Sequence, residues 1–426
     1  MTAIALAAAL VLVQAAQEKT LTYDDAIREA LARNNDLKAT KARLDQARTI
    51  GWKVWASQLP QVSAGVSWTR NDKQIEIAAF PPPIPETITF QPLIARGAQV
   101  LATVPLFAPQ LWFGIGAAEA GQRQAELTLE ASRRDIVFGM AQLYYGAVGA
   151  KYAVQITQKQ LAIARDREQD ARARYQAGTT PKVAQLRAEI DRARAEQDLK
   201  VAQTGYDSAR VAMATILDRQ GADFEVEVPG EPPVLQRVAE LESSAVRDRP
   251  EVQAAAAALE AAERARGGIW SGYLPSVSAL GRAQWQDPPG LTGENRSWAV
   301  GVVLTWDIFD GTRREAQLRE SGAKVAEAEA NSRSAELKAR EDVVRARLDL
   351  EAAIANQEKA QEQRDLAREN QRLVDLNYRE GAATYIEVSD ANNQLISAEL
   401  AAVGEQVKSR LAALQLLRAA GRFDPR

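Results

Sequence analysis

The chain has 426 residues, with 53 Lys and Arg against 56 Asp and Glu, a formal net charge of −3, and neither Cys nor His. Those absences exclude thiolate catalysis, Cys/His zinc sites and His-based acid–base or triad chemistry, and the balanced charge gives no reason to expect nucleic acid. Carboxylates alone still permit glycoside hydrolysis or a hard-cation site, so an enzyme reading is weakened rather than removed.

The chain opens with "MTAIALAAALVLVQAAQEKT", whose residues 3–13 are almost wholly apolar, and Val13-Gln14-Ala15 or Gln14-Ala15-Ala16 offers a small-residue cleavage site. This is the pattern of a secretory signal, expected over 1–16, although no basic residue precedes the apolar run. The run is too short to span a bilayer, and no later segment reaches 18 uninterrupted apolar residues. With no Cys, no acylated N-terminal Cys can anchor the mature chain. A membrane role would have to come from strands.

A helix is expected over 23–57, with Thr22 and Asp25 spaced as a cap. Strands follow at about 61–70 and 96–107, separated by a Pro-rich loop, "AAFPPPIPETITFQP" (78–92). In the first, Val62, Ala64, Val66 and Trp68 alternate with polar or small residues; in the second, Ala98, Val100, Ala102, Val104 and Leu106 do so. Residues 113–177 lack Pro and are rich in Ala, Glu, Arg, Gln and Leu, which predicts one long helix, reversed at "YQAGTTP" (175–181) into a shorter helix over 182–218. Residues 219–245 carry Pro, Gly and a short alternation at Phe224, Val226 and Val228; they read as a compact linker.

The same order then repeats. Trp55 matches Trp270, Pro60 matches Pro275 and Val62 matches Val277 at an offset of 215, whereas Tyr175/Tyr378 and Gly178/Gly381 match at 203. The offset falls where the second copy replaces the Pro-rich loop by "DPPGLTGEN" (287–295). The expected domains are therefore a first repeat over 17–218, a linker over 219–245 and a second repeat over 246–426. The second repeat has a helix over 236–271, strands at about 276–286 and 296–308, and a hairpin reversing at 378–384. In its long helix, 311–380, Leu318/Val325, Leu337/Val344 and Leu366/Leu373 stand seven apart, which predicts coiled-coil packing, with Ala elsewhere allowing close approach. At about 1.5 Å per residue each long helix would reach roughly 100 Å.

Four strands of about ten residues, apolar on one face and small or polar on the other, carry the signature of a membrane barrel. All eight Trp fall within 52–112 or 270–306. Trp55, Trp68, Trp112, Trp270, Trp285, Trp298 and Trp306 are candidates for the interfacial aromatic girdles. A soluble sandwich is the blander alternative, but four strands offer little sheet for a core and leave the long helices unexplained. Four strands also cannot close a barrel, and lipid leaves the amides of an open edge unsatisfied, so several copies must share one. The fold class is mainly α with a small β part: two repeats, each a long helical hairpin joined to two membrane strands.

The paired strand entries "QLPQVS" (58–63) and "YLPSVS" (273–278), the exits "VPLFAPQLWFG" (104–114) and "LTWDIFDGTRR" (304–314), and the twin Tyr-x-x-Gly turns resemble TolC-type outer-membrane efflux proteins. The resemblance covers both repeats. It implies a homotrimer with a 12-strand barrel in the outer membrane of a Gram-negative-type bacterium and a helical tunnel in the periplasm. The equatorial belt would be built from the linker. The tips would meet a periplasmic adaptor joined to an inner-membrane pump, with no cofactor and no metal. One departure is Asn34-Asn35, where the family pattern has Asn-Pro; the second copy keeps Arg249-Pro250.

On that resemblance the tips are Tyr175, Gly178, Thr179, Thr180 and Pro181, with Tyr378, Gly381, Ala382, Ala383 and Thr384, placed farthest from the membrane to contact the adaptor. The family also carries two acids after the second glycine, matched here by Glu387 and Asp390, while the first copy has Ala184 and Arg187. Three residues apart, both carboxylates lie on one helix face. In a trimer they would make six acids at a periplasmic constriction, concentrating cations and raising one another's pKa; a solvated helix face is the plainer reading. The implied function is a passive exit duct of a tripartite efflux or type I secretion system. The alternatives are a trimeric stalk or adhesin anchored in the outer membrane without transport, and a carboxylate-only glycosidase, for which no feature beyond the acids speaks.

Overall fold

The computed structural model describes residues 20–78, 87–228, 241–289 and 293–423. The signal segment and much of the linker lie outside these residues. In chain order the elements are α1 (Tyr23–Arg33), α2 (Asn35–Ala56), β1 (Gln61–Arg70), β2 (Ile75–Ala78), β3 (Thr87–Gln91), β4 (Ile94–Phe107), α3 (Pro109–Gln176) and α4 (Lys182–Ile216). The second half holds α5 (Leu241–Asp248), α6 (Pro250–Ser271), β5 (Ser276–Asp287), β6 (Arg296–Thr305), α7 (Arg313–Arg379) and α8 (Tyr385–Ala419). The chain divides into two compact units, one of residues 1–42, 127–253 and 334–426, the other of 43–126 and 254–333. Each unit draws on both sequence repeats.

In the second unit β1, β4, β5 and β6 form one antiparallel sheet in that order. Val62 pairs with Ala102 and Ala102 with Gly281, so the strands of the two repeats meet at β4 and β5. The strands β1 and β6 are left as open edges. The apolar face along β6 stays uncovered: Trp298, Val300, Val302, Leu304 and Trp306 are all exposed. The loop between β1 and β4 is more structured than the Pro-rich sequence suggested. Ile75–Ala78 and Thr87–Gln91 pair as a second, two-stranded sheet. Its signal was the short alternation at Ile75 and Ile77, masked by the prolines that follow.

The first unit packs the helices. Val137, Met140, Tyr144, Val148, Met213, Leu217, Phe224 and Val226 form its main core. Phe224 and Val226, from the alternation noticed in the linker, are fully buried, and Leu21 bridges to Val226 in parallel. The Tyr144 hydroxyl, between the Leu21 and Glu227 carbonyls at 2.9 and 2.7 Å, holds both segments.

Two sequence expectations are corrected. The helix expected over 23–57 breaks at Asn34, and its counterpart breaks at Arg249. In the second copy Pro250 takes the first helical position, where its missing N–H costs nothing. In the first copy, which lacks that proline, Asn34 Oδ1 accepts the Leu37 N–H at 3.1 Å and so starts α2. Secondly, the leucines spaced seven apart do not form the buried seam of α7: Leu337 is 54 % exposed and Leu366 66 %. The buried stripe is Ala339, Val343, Ala346, Ala353 and Ala360, itself stepped in fours, threes and sevens. Small side chains at those positions let neighbouring backbones approach closely, which bulky leucine would prevent.

Candidate functional site

Each hairpin reverses at a glycine in the left-handed region. Gly178 has φ +75° and Gly381 +79°, and in both turns the glycine N–H donates to the tyrosine carbonyl three residues back, at 3.0 and 3.1 Å. Thr179 N–H then bonds the Arg174 carbonyl, and Ala382 N–H the Asn377 carbonyl. These reversed bonds satisfy carbonyls that the ending helices leave without partners.

The turns differ in how the next helix starts. Pro181 caps α4 without a side-chain bond. Thr384 caps α8 with a full capping box: its hydroxyl accepts the Glu387 N–H at 3.4 Å, and Glu387 Oε2 accepts the Thr384 N–H at 2.6 Å. The Thr384 backbone N–H, with help from its hydroxyl, holds the Glu387 carboxyl below the usual carboxylate range. Within one chain the contact with Thr384 sets the direction for Glu387. Asp390 is exposed and, among the described residues, makes no hydrogen bond or ion pair. The two acids thus differ: Glu387 is committed to starting its own helix, whereas Asp390 is free.

The tips also carry contacts that sequence reasoning missed. Asp191, on α4, accepts the Tyr385 and Ser389 hydroxyls, each at 2.9 Å. Arg167 on α3 pairs with Asp375 on α7 at 3.5 Å. Charged and hydroxyl groups thereby join α4 to α8 and α3 to α7. Burial pulls the Arg167 guanidinium down from its ordinary value, and Asp375 opposes that. Burial, then the bond to Asp191, pushes the Tyr385 phenol well above its ordinary value. Arg174 lies 5.2 Å from the centre of the Tyr378 ring, and Lys182 5.0 Å from that of Tyr175. Both tip tyrosines therefore carry a cation over the ring.

In the other unit, Trp55, Trp112, Trp270 and Trp306 stand where helices and strands join, while Trp68, Trp285 and Trp298 lie toward the far ends of the strands. All seven are exposed, as is Trp52, which sequence reasoning left out. The eight steps from Trp298 to Trp306 span about 26 Å at about 3.3 Å per residue, close to the height of an outer-membrane apolar band. Among the described residues no helix is long and apolar enough to cross a membrane, and no group of acids is placed to hold a metal ion.

The family model for outer membrane efflux proteins matches residues 26–219 and 241–422. No curated protein sequence matches. Among solved structures, the fold is similar to the outer membrane protein VceC from Vibrio cholerae, at 21% identity and a TM-score of 0.80, covering 94% of this chain and 97% of that one. It is similar to the Campylobacter jejuni CmeC outer membrane channel at 15% identity and 0.82, covering 94% and 86%. The open state of the Neisseria gonorrhoeae MtrE outer membrane channel matches at 21% and 0.76, covering 95% and 90%. With both halves of the chain matched and the sheet and hairpins in place, the chain belongs to the outer membrane efflux protein family: it is an outer-membrane channel with its helical part in the periplasm, and not an enzyme.

Proposed function

We propose that the chain works as a homotrimer, the exit duct of a tripartite export system, with its tips docked to a periplasmic adaptor that links it to an inner-membrane pump. The observation that carries the assembly is the sheet with β1 and β6 both open and an exposed apolar face. In hydrocarbon each unpaired edge amide is costly, so three sheets pairing edge to edge into a 12-strand barrel satisfy what one cannot. Transport is passive, its energy coming from the pump. The adaptor would meet Tyr175, Gly178, Thr179, Thr180 and Pro181 with Tyr378, Gly381, Ala382, Ala383 and Thr384. Glu387 and Asp390 would give the periplasmic mouth its cation preference, with Asp390 the freer contributor. The tryptophans would mark the two membrane interfaces. Planar-bilayer recording of purified protein tests the reading: discrete, cation-selective conductance is expected, and a protein that never conducts refutes it.

A further inference from the structure

The four-stranded sheet sorts its charges by face. The register sets Gly65, Gln99, Gln284 and Ser297 in one row, and Ser63, Leu101, Arg282 and Ala299 in the next. Both rows lie on the face opposite Val66, Val100 and Trp298, so they line the interior of a closed barrel. Across the four strands that interior face is built of Ser, Thr, Gln, Gly, Ala, Leu, Val and Pro. Arg282 is its single charge among the described residues.

Its height along the strand sharpens the contrast. The charges on the outward face, Arg70, Arg96, Asp287 and Arg296, all stand at the strand ends away from the helices. There Arg96 Nη1 lies 3.9 Å from Asp287 Oδ2. Arg282 instead stands mid-strand, six residues after Ser276 and five before Asp287, where a charge is tolerated toward water and not toward lipid. It is exposed, and among the described residues it makes no hydrogen bond or ion pair. Its neighbours across the strands, Leu101 and Ala299, cannot neutralise it.

We propose that Arg282 forms an anion-attracting ring inside the barrel, a selectivity element for oxyanion groups on the exported solute. This rests on the shared-barrel reading above, since rotation about the barrel axis sets the Arg282 of every copy at one height. The guanidinium groups then face water with no acid on the surrounding wall. The local potential is positive, so it concentrates carboxylate, phosphate or sulfate groups and repels cations. The planar fork of arginine suits such groups because it donates two parallel N–H bonds to one oxyanion. The side-chain amides of Gln99 and Gln284 stand one row away as further donors. The ring is opposite in sign to Glu387 and Asp390 at the proposed periplasmic mouth, so the duct holds two filters in series.

Because the chain has no Cys, one introduced Cys reports the potential beside Arg282. Gln284→Cys lies two residues along β5 on the same face, about 6.6 Å away. The full chain, reconstituted in lipid vesicles, is treated with an anionic and a cationic methanethiosulfonate of similar size, and the ratio of the two rates is read. Adding Arg282→Gln is expected to lower the anionic-to-cationic ratio about fivefold in about 0.01 M salt, and hardly at all in 1 M salt, where screening acts within about 3 Å. Arg282→Lys should keep the ratio. A reactive Gln284→Cys whose ratio ignores Arg282→Gln overturns the proposal and leaves the barrel reading intact. Ala283→Cys, on the outward face, tests that reading: it should react slowly with both reagents. If it reacts as fast as Gln284→Cys, lipid does not separate the faces and both readings fall. In planar-bilayer records Arg282→Gln should move the reversal potential toward cation selectivity, the sense opposite to Asp390→Asn; no movement, or movement toward anions, overturns the ring.

Discussion

The Tyr385 hydroxyl donates to the Asp191 carboxylate at 2.9 Å, tying the helix after the second tip to the helix after the first. Tyr385→Phe removes the donor and leaves Ser389 as the remaining hydroxyl on Asp191. Hydrogen bonds to charged groups contribute about 1.5–3 kcal/mol, and the low end applies to a half-buried pair. Amides near Asp191 and Tyr385 should exchange about tenfold faster in the variant, with the sheet unaffected, as mass-resolved hydrogen exchange would show.

The same pair has a pH signature. Burial first, and the bond to Asp191 second, raise the Tyr385 pKa, so the folded protein holds the phenolic proton more tightly than the unfolded chain does. The contribution is then fully present below about pH 10 and is lost as pH rises through the higher folded value. Alkaline titration should loosen the tip contacts of the native protein above pH 10. If Tyr385→Phe loosens over the same range with the same amplitude, another group is responsible.

Glu387 complicates any test of the acidic mouth by substitution to Ala, because that change removes a helix cap together with a charge. Glu387→Gln keeps a side chain that can complete a capping box, while Asp390→Asn touches no partner. Cation selectivity should fall in both, with helix content unchanged, if the carboxylates act on ions. Thr384→Ala should do the reverse: about 1 kcal/mol less stability at the start of α8 and little change in selectivity. The Glu387 pKa is lowered, so its capping contribution is present above the unfolded carboxyl value near 4.5 and is lost as pH falls through the lower folded one. Selectivity in single-channel records and far-ultraviolet circular dichroism separate the two roles.

What the sequence showed and what it hid divide along a physical line. The tip glycines, the strand alternation from Val62 to Trp68 and its copy at Val277 are local periodicities, each fixed by residues within a few positions of one another. Asp191 has no such neighbour: its partners lie about 200 residues away, and its counterpart in the second repeat is Gln394. The break at Asn34 was hidden because an amide replaces the proline that marks it in the other copy. The leucines of α7 misled for a related reason. Heptad spacing shows that a face is buried by something, and only the fold shows that alanines make the intrachain seam.

Gly267 offers a packing test remote from the tips. A Cβ placed there would lie 2.6 Å from Cδ1 of Phe113, where α6 meets the start of α3. Gly267→Ala should therefore destabilise this region by about 1–3 kcal/mol through overpacking, despite Ala being the better helix former. Gly178→Ala and Gly381→Ala should cost about 1–2 kcal/mol each for a different reason: nothing crowds either site, and only the positive φ is unfavourable. Denaturant midpoints for the three variants, with Gly267→Ala,Phe113→Leu as a relieved double, distinguish crowding from backbone strain.

The two faces of β6 make opposite demands, and Val302 and Val303 sample them side by side. Val302 lies on the stripe bounded by Trp298 and Trp306, midway between the aromatic bands. Val303 points to the other face of the sheet, since successive strand residues alternate. If the stripe meets hydrocarbon, Val302→Arg places a charge near the bilayer midplane at a cost of about 2–4 kcal/mol, whereas Val303→Arg faces the barrel interior and costs far less. Refolding into lipid vesicles, followed by the shift in gel mobility between folded and boiled samples, should show Val302→Arg failing to assemble and Val303→Arg assembling with altered conductance. Equal failure of both would mean that the sheet is covered on each side by protein, and equal success that neither face meets lipid.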